Sequence, residues 1–208
     1  MKDANTLAHR ITELIANGLP GEKAHSKMLP EGRSLTTSSI KRESAVLLLL
    51  YPRAGLWTTV FIKRNLYDGP HSGQISIPGG KKDALDKTLL ETALRETLEE
   101  TGVDASNALL HSALSPIHIP VSGFVVYPYL AVLNFSPVFT PDPNEVNYLI
   151  EVPLRKLKDP SIVKIRRMMI GDTGVNVPYF DIRDEVIWGA TAMILAEFLE
   201  LMPEIISD

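Results

Sequence analysis

The chain contains no cysteine among its 208 residues, which excludes disulfides, thiolate metal sites and cysteine nucleophiles. It also lacks a basic excess, because 25 Asp and Glu outnumber 21 Lys and Arg for a formal net charge of −4. Proteins that bind nucleic-acid backbones usually show the opposite balance. The composition therefore predicts no nucleic-acid partner. An anionic small molecule would need local cations or a bound metal to be attracted.

Long apolar runs are missing as well. The run at residues 45–51 is too short to cross a bilayer, and Glu197 and Glu200 interrupt the apolar segment near 187–202. The N-terminal residues show no apolar run of signal-peptide length. Together with the lack of cysteine, these features predict a cytoplasmic protein without a membrane partner.

The pattern of apolar residues predicts an α/β chain. Leu7, Ile11, Leu14 and Ile15 have helical spacing and predict a helix over 3–17, whereas 19–42 and 64–87 read as irregular segments. Further predictions are a hairpin of strands at 45–51 and 57–62, a helix at 89–101, strands near 107–114 and 122–134, a hairpin at 162–170 and 175–182, and a closing helix at 189–202. No repeat or linker divides the chain. We expect one domain, with an N-terminal helix and irregular connection over 1–42 and the core and closing helix over 43–202.

The predicted helix at 89–101 has clear ends and an unusual charge pattern. Thr88 and Glu91 form a capping-box pattern at its start, and Gly102 suits a left-handed cap at its end. At about 100° per residue, Glu96, Glu99 and Glu100 fall on one face. The apolar residues expected to bury on the other side are Leu90, Ala93, Leu94 and Leu98.

Three carboxylates at this end of a helix are locally unfavourable. Like charges at i,i+4 repel, and the helix dipole disfavours anions near the C-terminus. Such conflicts are expected where function offsets them, and Mg²⁺ prefers carboxylate oxygens together with substrate phosphate oxygens. The cluster therefore points to metal-assisted chemistry on a phosphate compound. A solvated acidic helix face is the alternative for the bare pattern.

The surrounding residues resemble the Nudix box, written G-x5-E-x7-R-E-U-x-E-E-x-G-U with U a bulky aliphatic. The matching residues are Gly80, Arg95, Glu96, Glu99, Glu100, Gly102 and Val103. One extra residue lies between Gly80 and Arg95, Asp86 stands where the first Glu would be, and Thr97 replaces an aliphatic. The resemblance implies an α/β/α sandwich with a mixed central sheet, and it leaves the role of Asp86 open.

The segment before the box resembles that of the coenzyme A pyrophosphatases in this superfamily. The matching residues are Arg64, Gly73, Pro78, Gly79 and Gly80, and the sequence departs from the pattern at Asn65, Gly69 and Ile77. The pattern has an arginine where Gly69 stands, so its absence bears directly on substrate choice.

The resemblance implies hydrolysis of a nucleoside diphosphate derivative. Glu96, Glu99 and Glu100 would hold Mg²⁺ or Mn²⁺, and Glu96 or Glu145 would accept the proton from water. Coenzyme A or an acyl derivative, cut to adenosine 3′,5′-bisphosphate and 4′-phosphopantetheine, is the first substrate. ADP-ribose, NADH or another nucleotide is the alternative, and a binding protein or regulator of this fold without catalysis stays open. A homodimer is expected at the family level only.

Other residues have both functional and ordinary interpretations. Arg95 would orient Glu99 or form a plain surface pair with it. Arg64 would clamp a diphosphate or lie at a strand end on the surface. His71 would contact substrate or only its own loop. Gly79 and Gly80 would admit a phosphate to the backbone or simply form a turn. Glu145, the candidate base, is otherwise a solvated loop acid.

Overall fold

A computed structural model describes residues 3–34, 42–69, 71–120 and 122–202. Its helices are α1 (Ala4–Ala16), α2 (Glu22–His25), α3 (Leu89–Thr101), α4 (Leu154–Leu157) and α5 (Gly189–Leu201). Its strands are β1 (Arg42–Arg53), β2 (Leu56–Arg64), β3 (Ile75–Ser76), β4 (Gly79–Lys81), β5 (Leu110–Ala113), β6 (Ile117–Ile119), β7 (Phe124–Val132), β8 (Val146–Pro153), β9 (Val163–Ile170), β10 (Thr173–Ile182) and β11 (Glu185–Ile187). Short 3₁₀ turns cover Ser26–Met28 and Pro160–Ile162.

The main sheet is mixed and is organised around β1. This strand pairs in parallel with β7 and antiparallel with β2 and β4, and β2 continues the sheet to β3 and β8. Strands β5 and β6 both pair antiparallel with β7. Side chains 47–51 of β1 are fully buried, because both faces of the strand are covered. This explains why its sequence is an apolar run without alternation.

Two apolar clusters lie on opposite faces of the sheet. Leu48 and Leu50 pack with residues of α1 and α5, whereas Leu47 and Leu49 pack with Ala93 of α3. The sheet therefore lies between two helical layers, which confirms the predicted α/β/α arrangement with a mixed central sheet. Strands β9, β10 and β11 form a separate three-stranded antiparallel sheet.

Most of the long elements agree with the sequence predictions, but the eight-residue strand β8 and several short elements were not predicted. Helices α1, α3 and α5 and both predicted hairpins are confirmed. The segments expected to be irregular contain α2, β3 and β4, which have two to four residues each. Elements of this length leave no apolar period to detect. Over the described ranges, no helix combines the length and apolar character needed to cross a bilayer.

Candidate active site

The helix α3 begins and ends at the residues that its sequence indicates. The Thr88 side chain accepts a hydrogen bond from the Glu91 amide at 3.1 Å, and Gly102 adopts a left-handed conformation with φ 74°. Thr140 lies so close to Gly102 that a Cβ there would be 1.9 Å from its hydroxyl. A larger residue is therefore excluded both by backbone conformation and by space.

The buried face of α3 differs from the predicted one. Leu98 is 47% exposed, whereas Thr97, Glu100 and Thr101 are buried. The threonine hydroxyls donate to backbone carbonyls one turn earlier, Thr97 to Ala93 at 2.7 Å and Thr101 to Thr97 at 2.6 Å. Because these polar groups are satisfied within the helix, they can face the sheet without an unpaired donor. The prediction that Leu98 is buried was therefore wrong.

Arg95 is the centre of the polar network on α3. Its Nη1 donates to Glu96 at 3.0 Å and to Glu99 at 2.9 Å. On its other side, Nε and Nη2 donate to the two Asp86 oxygens at 3.1 and 2.9 Å, and Nη2 also donates to the Lys81 carbonyl at 3.2 Å. Arg95 thus contacts Glu99 as expected, within a wider network than a surface pair.

Asp86 acts as the anchor of this arginine. Its carboxylate also accepts from the Thr92 hydroxyl at 2.9 Å and from the Asp83 amide at 2.9 Å. The hydrogen bonds from Arg95 hold the pKa of Asp86 well below its usual range. Its side chain therefore faces Arg95 and orients that guanidinium. The sequence left this role open, because the extra residue before Arg95 obscures which acid occupies the position.

Glu100 is a buried carboxylate with two donors. Its side chain is fully covered, and it accepts from the Gly79 amide at 2.7 Å and from Arg64 Nη2 at 3.1 Å. Arg64 Nη2 also donates to the Gly79 carbonyl at 3.0 Å. Burial raises the pKa of Glu100 to about 7, against the lowering effect of Arg64. Among the candidate residues, Arg64, Gly79 and Glu100 therefore form one contact group.

Glu96 lies over Gly80 of the neighbouring strand β4. A Cβ on Gly80 would lie 2.3–2.5 Å from the three carboxyl atoms of Glu96, so only glycine leaves room for this carboxylate. Burial raises the pKa of Glu96, and the hydrogen bond from Arg95 opposes that effect. The close approach of this carboxylate explains Gly80 better than a turn alone.

Glu145 completes a group of three acids that we call the acidic cluster: Glu96, Glu100 and Glu145. Glu145 lies in the loop before β8, where its carbonyl accepts from the Asn65 amide at 3.0 Å, one residue after the Arg64 that contacts Glu100. The negative charge of Glu145 contributes to the raised pKa of both other members. His71 is exposed in the loop before β3, has a positive φ of 69°, and shares a 3.0 Å hydrogen bond with the Gln74 side chain. Its observed contact is therefore local to its own loop.

The carboxylate oxygens of this site are the type of ligand that a hard divalent cation prefers. The acidic cluster supplies carboxylate oxygens whose mutual repulsion a dication would relieve, and Glu99 lies beside it with 54% of its side chain exposed. Within the described ranges, no three Asp, Glu or His side chains are gathered as a metal-ligand group. The reason is visible in the contacts, since Arg95 draws Glu96 and Glu99 while Arg64 draws Glu100.

Comparisons with known proteins agree with this geometry. Residues 41–169 match the family model described as NUDIX domain. The chain is 35% identical over 116 residues to an uncharacterized Nudix hydrolase NudL of Pectobacterium atrosepticum, covering 55% of the chain and 58% of that protein. It is 32% identical over 162 residues to the NudL protein of Yersinia pestis, covering 76% of the chain and 78% of the relative. The chain therefore spans less than two thirds of the Pectobacterium relative.

The fold has solved counterparts as well. The crystal structure of a MutT/nudix family protein from Enterococcus faecalis superposes with a TM-score of 0.51 at 18% sequence identity. The matched region covers 82% of the chain and 66% of that protein. At this level of identity the likeness concerns the fold.

Proposed function

The chain belongs to the Nudix family, and on that basis we propose that it hydrolyses the diphosphate bond of a nucleoside diphosphate derivative. The observation that carries this proposal is the acidic cluster beside the Gly79–Gly80 backbone. Glu100 contacts the Gly79 amide and Glu96 lies over Gly80. The site contains four carboxylates, those of the acidic cluster and of Glu99, together with Arg64 and Arg95. Such a mixture of charges suits a site that binds both a cation and an anionic phosphate.

The proposed metal ligands are Glu96, Glu99 and Glu100. A bound Mg²⁺ or Mn²⁺ supplies charge neutralisation on the diphosphate and activation of water. The arginines set where these carboxylates lie before binding, Arg95 for Glu96 and Glu99 and Arg64 for Glu100. To hold an ion together, the three carboxylates would exchange some of these arginine contacts for bonds to the cation.

The proton from the attacking water goes to Glu145 or Glu96. Glu145 is exposed on its loop and close enough to the other acids to raise their pKa values. Glu96 is half-buried and has a raised pKa of its own, which suits a group that takes up a proton. We favour Glu145, because it is not a proposed metal ligand. If it accepts the proton, the carboxylate oxygens that hold the ion stay unprotonated.

The Arg64 guanidinium has five N–H donors, and Nη2 already contacts Glu100 and Gly79. We propose that its other donors contact the diphosphate. The prediction that Gly79 and Gly80 admit a phosphate to the backbone stays a prediction, since the Gly79 amide here donates to Glu100 and Glu96 lies over Gly80. His71 is proposed as a weaker contact to the substrate, since its present partner is Gln74.

Coenzyme A or an acyl derivative is our first substrate, on the resemblance of Arg64 and of residues 73–80 to the coenzyme A pyrophosphatase pattern. ADP-ribose or NADH is the second candidate because Gly69 replaces the arginine of that pattern. A single domain, a cytoplasmic location, a homodimer and the absence of nucleic-acid and membrane partners also remain predictions. A regulator without catalysis would have the same fold, and it is separated from an enzyme by activity alone.

A substrate panel tests the proposal. Coenzyme A, ADP-ribose, NADH and nucleoside triphosphates are incubated with the protein and Mg²⁺ or Mn²⁺, and the products are identified by mass spectrometry. We expect adenosine 3′,5′-bisphosphate from coenzyme A. Glu99→Gln should lower kcat by about 100-fold or more without unfolding the protein, because Glu99 is exposed.

The control is Glu13→Gln, which removes an exposed helical glutamate that pairs with an arginine three residues earlier on α1. Its kcat should equal that of the wild type. If no compound in the panel is hydrolysed with either metal, the enzyme proposal fails and the regulator stands.

A further inference from the structure

Asn65, the residue after β2, joins the two loops beside the acidic cluster. Its side-chain Nδ2 donates to the Pro143 carbonyl at 2.8 Å, and its backbone amide donates to the Glu145 carbonyl at 3.0 Å. Both acceptors belong to the loop at 141–145 that precedes β8. Asn65 therefore attaches this loop at two points, one of them the residue that carries the proposed base.

The loop at 141–145 is internally braced. The Asp142 carboxylate accepts from the Asn144 amide at 2.8 Å, and the Asp142 carbonyl accepts from the amides of Glu145 at 3.2 Å and Val146 at 2.9 Å. These short-range bonds hold the segment as one compact turn. Because the Glu145 side chain is exposed, its location depends on how this turn is attached to the rest of the protein.

The strand pairing next to Asn65 explains why a side-chain attachment is needed. The register between β2 and β8 shifts at Lys63 and Arg64, where Lys63 pairs with Tyr148 and Arg64 with Val146. The regular ladder therefore ends at Arg64, one residue before Asn65. Beyond that irregularity the two bonds from Asn65 continue the connection that the ladder no longer supplies.

We propose that Asn65 is a positioning residue that sets where the Glu145 carboxylate lies relative to Glu96 and Glu100. It acts through the main chain of Glu145, and the adjacent Arg64 ties the same strand end to Glu100 at 3.1 Å. This inference rests on the proposed function. Asn65 is also a position at which the chain departs from the coenzyme A pyrophosphatase pattern.

A double-mutant cycle tests the inference. Asn65→Ala removes the donor to Pro143, and Asn65→Asp keeps the shape but places an acceptor against that carbonyl. Both should lower kcat about tenfold while KM changes less than about twofold, since only the placement of the base is disturbed. In a Glu145→Gln background the same changes should alter kcat by less than about twofold, because no base remains to be placed.

The matched control is Asn107→Ala, which removes an exposed asparagine from a turn after α3 and should leave kcat unchanged in both backgrounds. Hydrogen exchange gives a readout independent of activity. The amides of Asp142 and of residues 144–146 should exchange faster in Asn65→Ala, with the global unfolding midpoint within about 2 °C of the wild type.

The outcomes separate the two proposals. An active wild type with equal losses from Asn65→Ala in both backgrounds overturns the positioning role and leaves the proposed function intact. Unchanged exchange at the amides of Asp142 and of residues 144–146 overturns it as well. A wild type that hydrolyses no compound overturns the proposed function itself.

Discussion

Two neighbouring residues of one type, Glu99 and Glu100, occupy opposite environments. Glu99 has 54% of its side chain exposed, whereas that of Glu100 is completely covered and held by Arg64 and Gly79. Spacing on a helical wheel places both on the acidic face, but it cannot tell which one meets the sheet. The protonation of Glu100 is therefore a property of the fold.

The pKa of Glu100 gives a stability prediction with a definite sign. The folded protein holds the Glu100 proton up to about pH 7, whereas the unfolded chain releases it near 4.5. Stability from this group is thus fully present below pH 4.5 and is lost as the pH rises to about 7. As the pH of metal-free protein rises from 5 to 8, the wild type should therefore lose about 3 kcal/mol of unfolding free energy that Glu100→Gln keeps.

Urea unfolding of both proteins with a chelator measures this difference at the two pH values. Saturating Mg²⁺ at pH 8 should then stabilise the wild type more than Glu100→Gln, because only the ionised carboxylate binds the cation strongly. A gap between the two proteins that stays constant from pH 5 to pH 8 would contradict the buried, protonated state.

At the scale of elements, β4 and α3 together create the site. The strand brings Gly79 to the Glu100 carboxylate and Gly80 under that of Glu96. The two glycines are constrained in different ways. A Cβ on Gly79, which has φ 151°, would lie 2.3 Å from the Ala45 carbonyl, whereas one on Gly80 would meet only the end of a flexible side chain.

Gly80→Ala should therefore damage function far more than stability. The added methyl group pushes the Glu96 carboxylate aside, and kcat should fall about 100-fold. The free energy of unfolding should change by less than about 1 kcal/mol, since the side chain can rotate away. Steady-state kinetics and urea unfolding of the same preparation give both numbers.

Gly79→Ala is the informative comparison, because its clash involves the β1 backbone and should destabilise the protein strongly. The close packing of Glu96 on Gly80 would be disproved by a fully active Gly80→Ala enzyme.

Sequence reasoning worked where local signals are strong. Thr88 and Gly102 gave both ends of α3, and the apolar run in β1 identified the central strand. It failed for β4, because three residues with two glycines show no strand period. It also placed Leu98 in the core, because internal hydrogen bonds of threonine hydroxyls are not visible in an apolar pattern.

At the scale of the whole molecule, a buried hydrogen bond joins α2 to α5. His25 Nε2 lies 3.1 Å from Glu197 Oε2, and both side chains are almost fully covered. Glu197 also accepts from the amides of Gly21 at 3.1 Å and Ser115 at 3.2 Å. Burial alone would raise the pKa of Glu197, but these donors outweigh it and the pKa lies below its usual value.

Glu197→Ala should lower the free energy of unfolding by about 3 kcal/mol, because it leaves the part-buried amides of Gly21 and Ser115 and the buried His25 ring without their shared partner. The matched control is Glu200→Ala on the same helix, which breaks a partly exposed pair with Lys27 and should cost less than about 1 kcal/mol. Urea unfolding at pH 7 measures both. Equal losses in the two variants would show that the buried network adds nothing.

This pair also marks the limit of prediction from sequence. His25 and Glu197 are separated by 172 positions, and each lies in a segment whose local pattern gives no sign of the other. The same holds for Asn65 and Pro143, which are 78 positions apart. Local propensity predicts single elements, whereas contacts of this kind follow from the topology of the sheet.

The parallel pairing of β1 with β7 has a consequence for synthesis on the ribosome. Leu50 lies opposite Val132 and Arg42 opposite Phe124, so 82 residues separate each pair. At about 5–20 residues per second, the second edge of β1 waits roughly 4–16 s for its partner strand to emerge. During that interval the apolar residues 45–51 of β1 lack a partner on this edge, so the nascent chain is expected to expose an unpaired apolar strand until β7 has emerged.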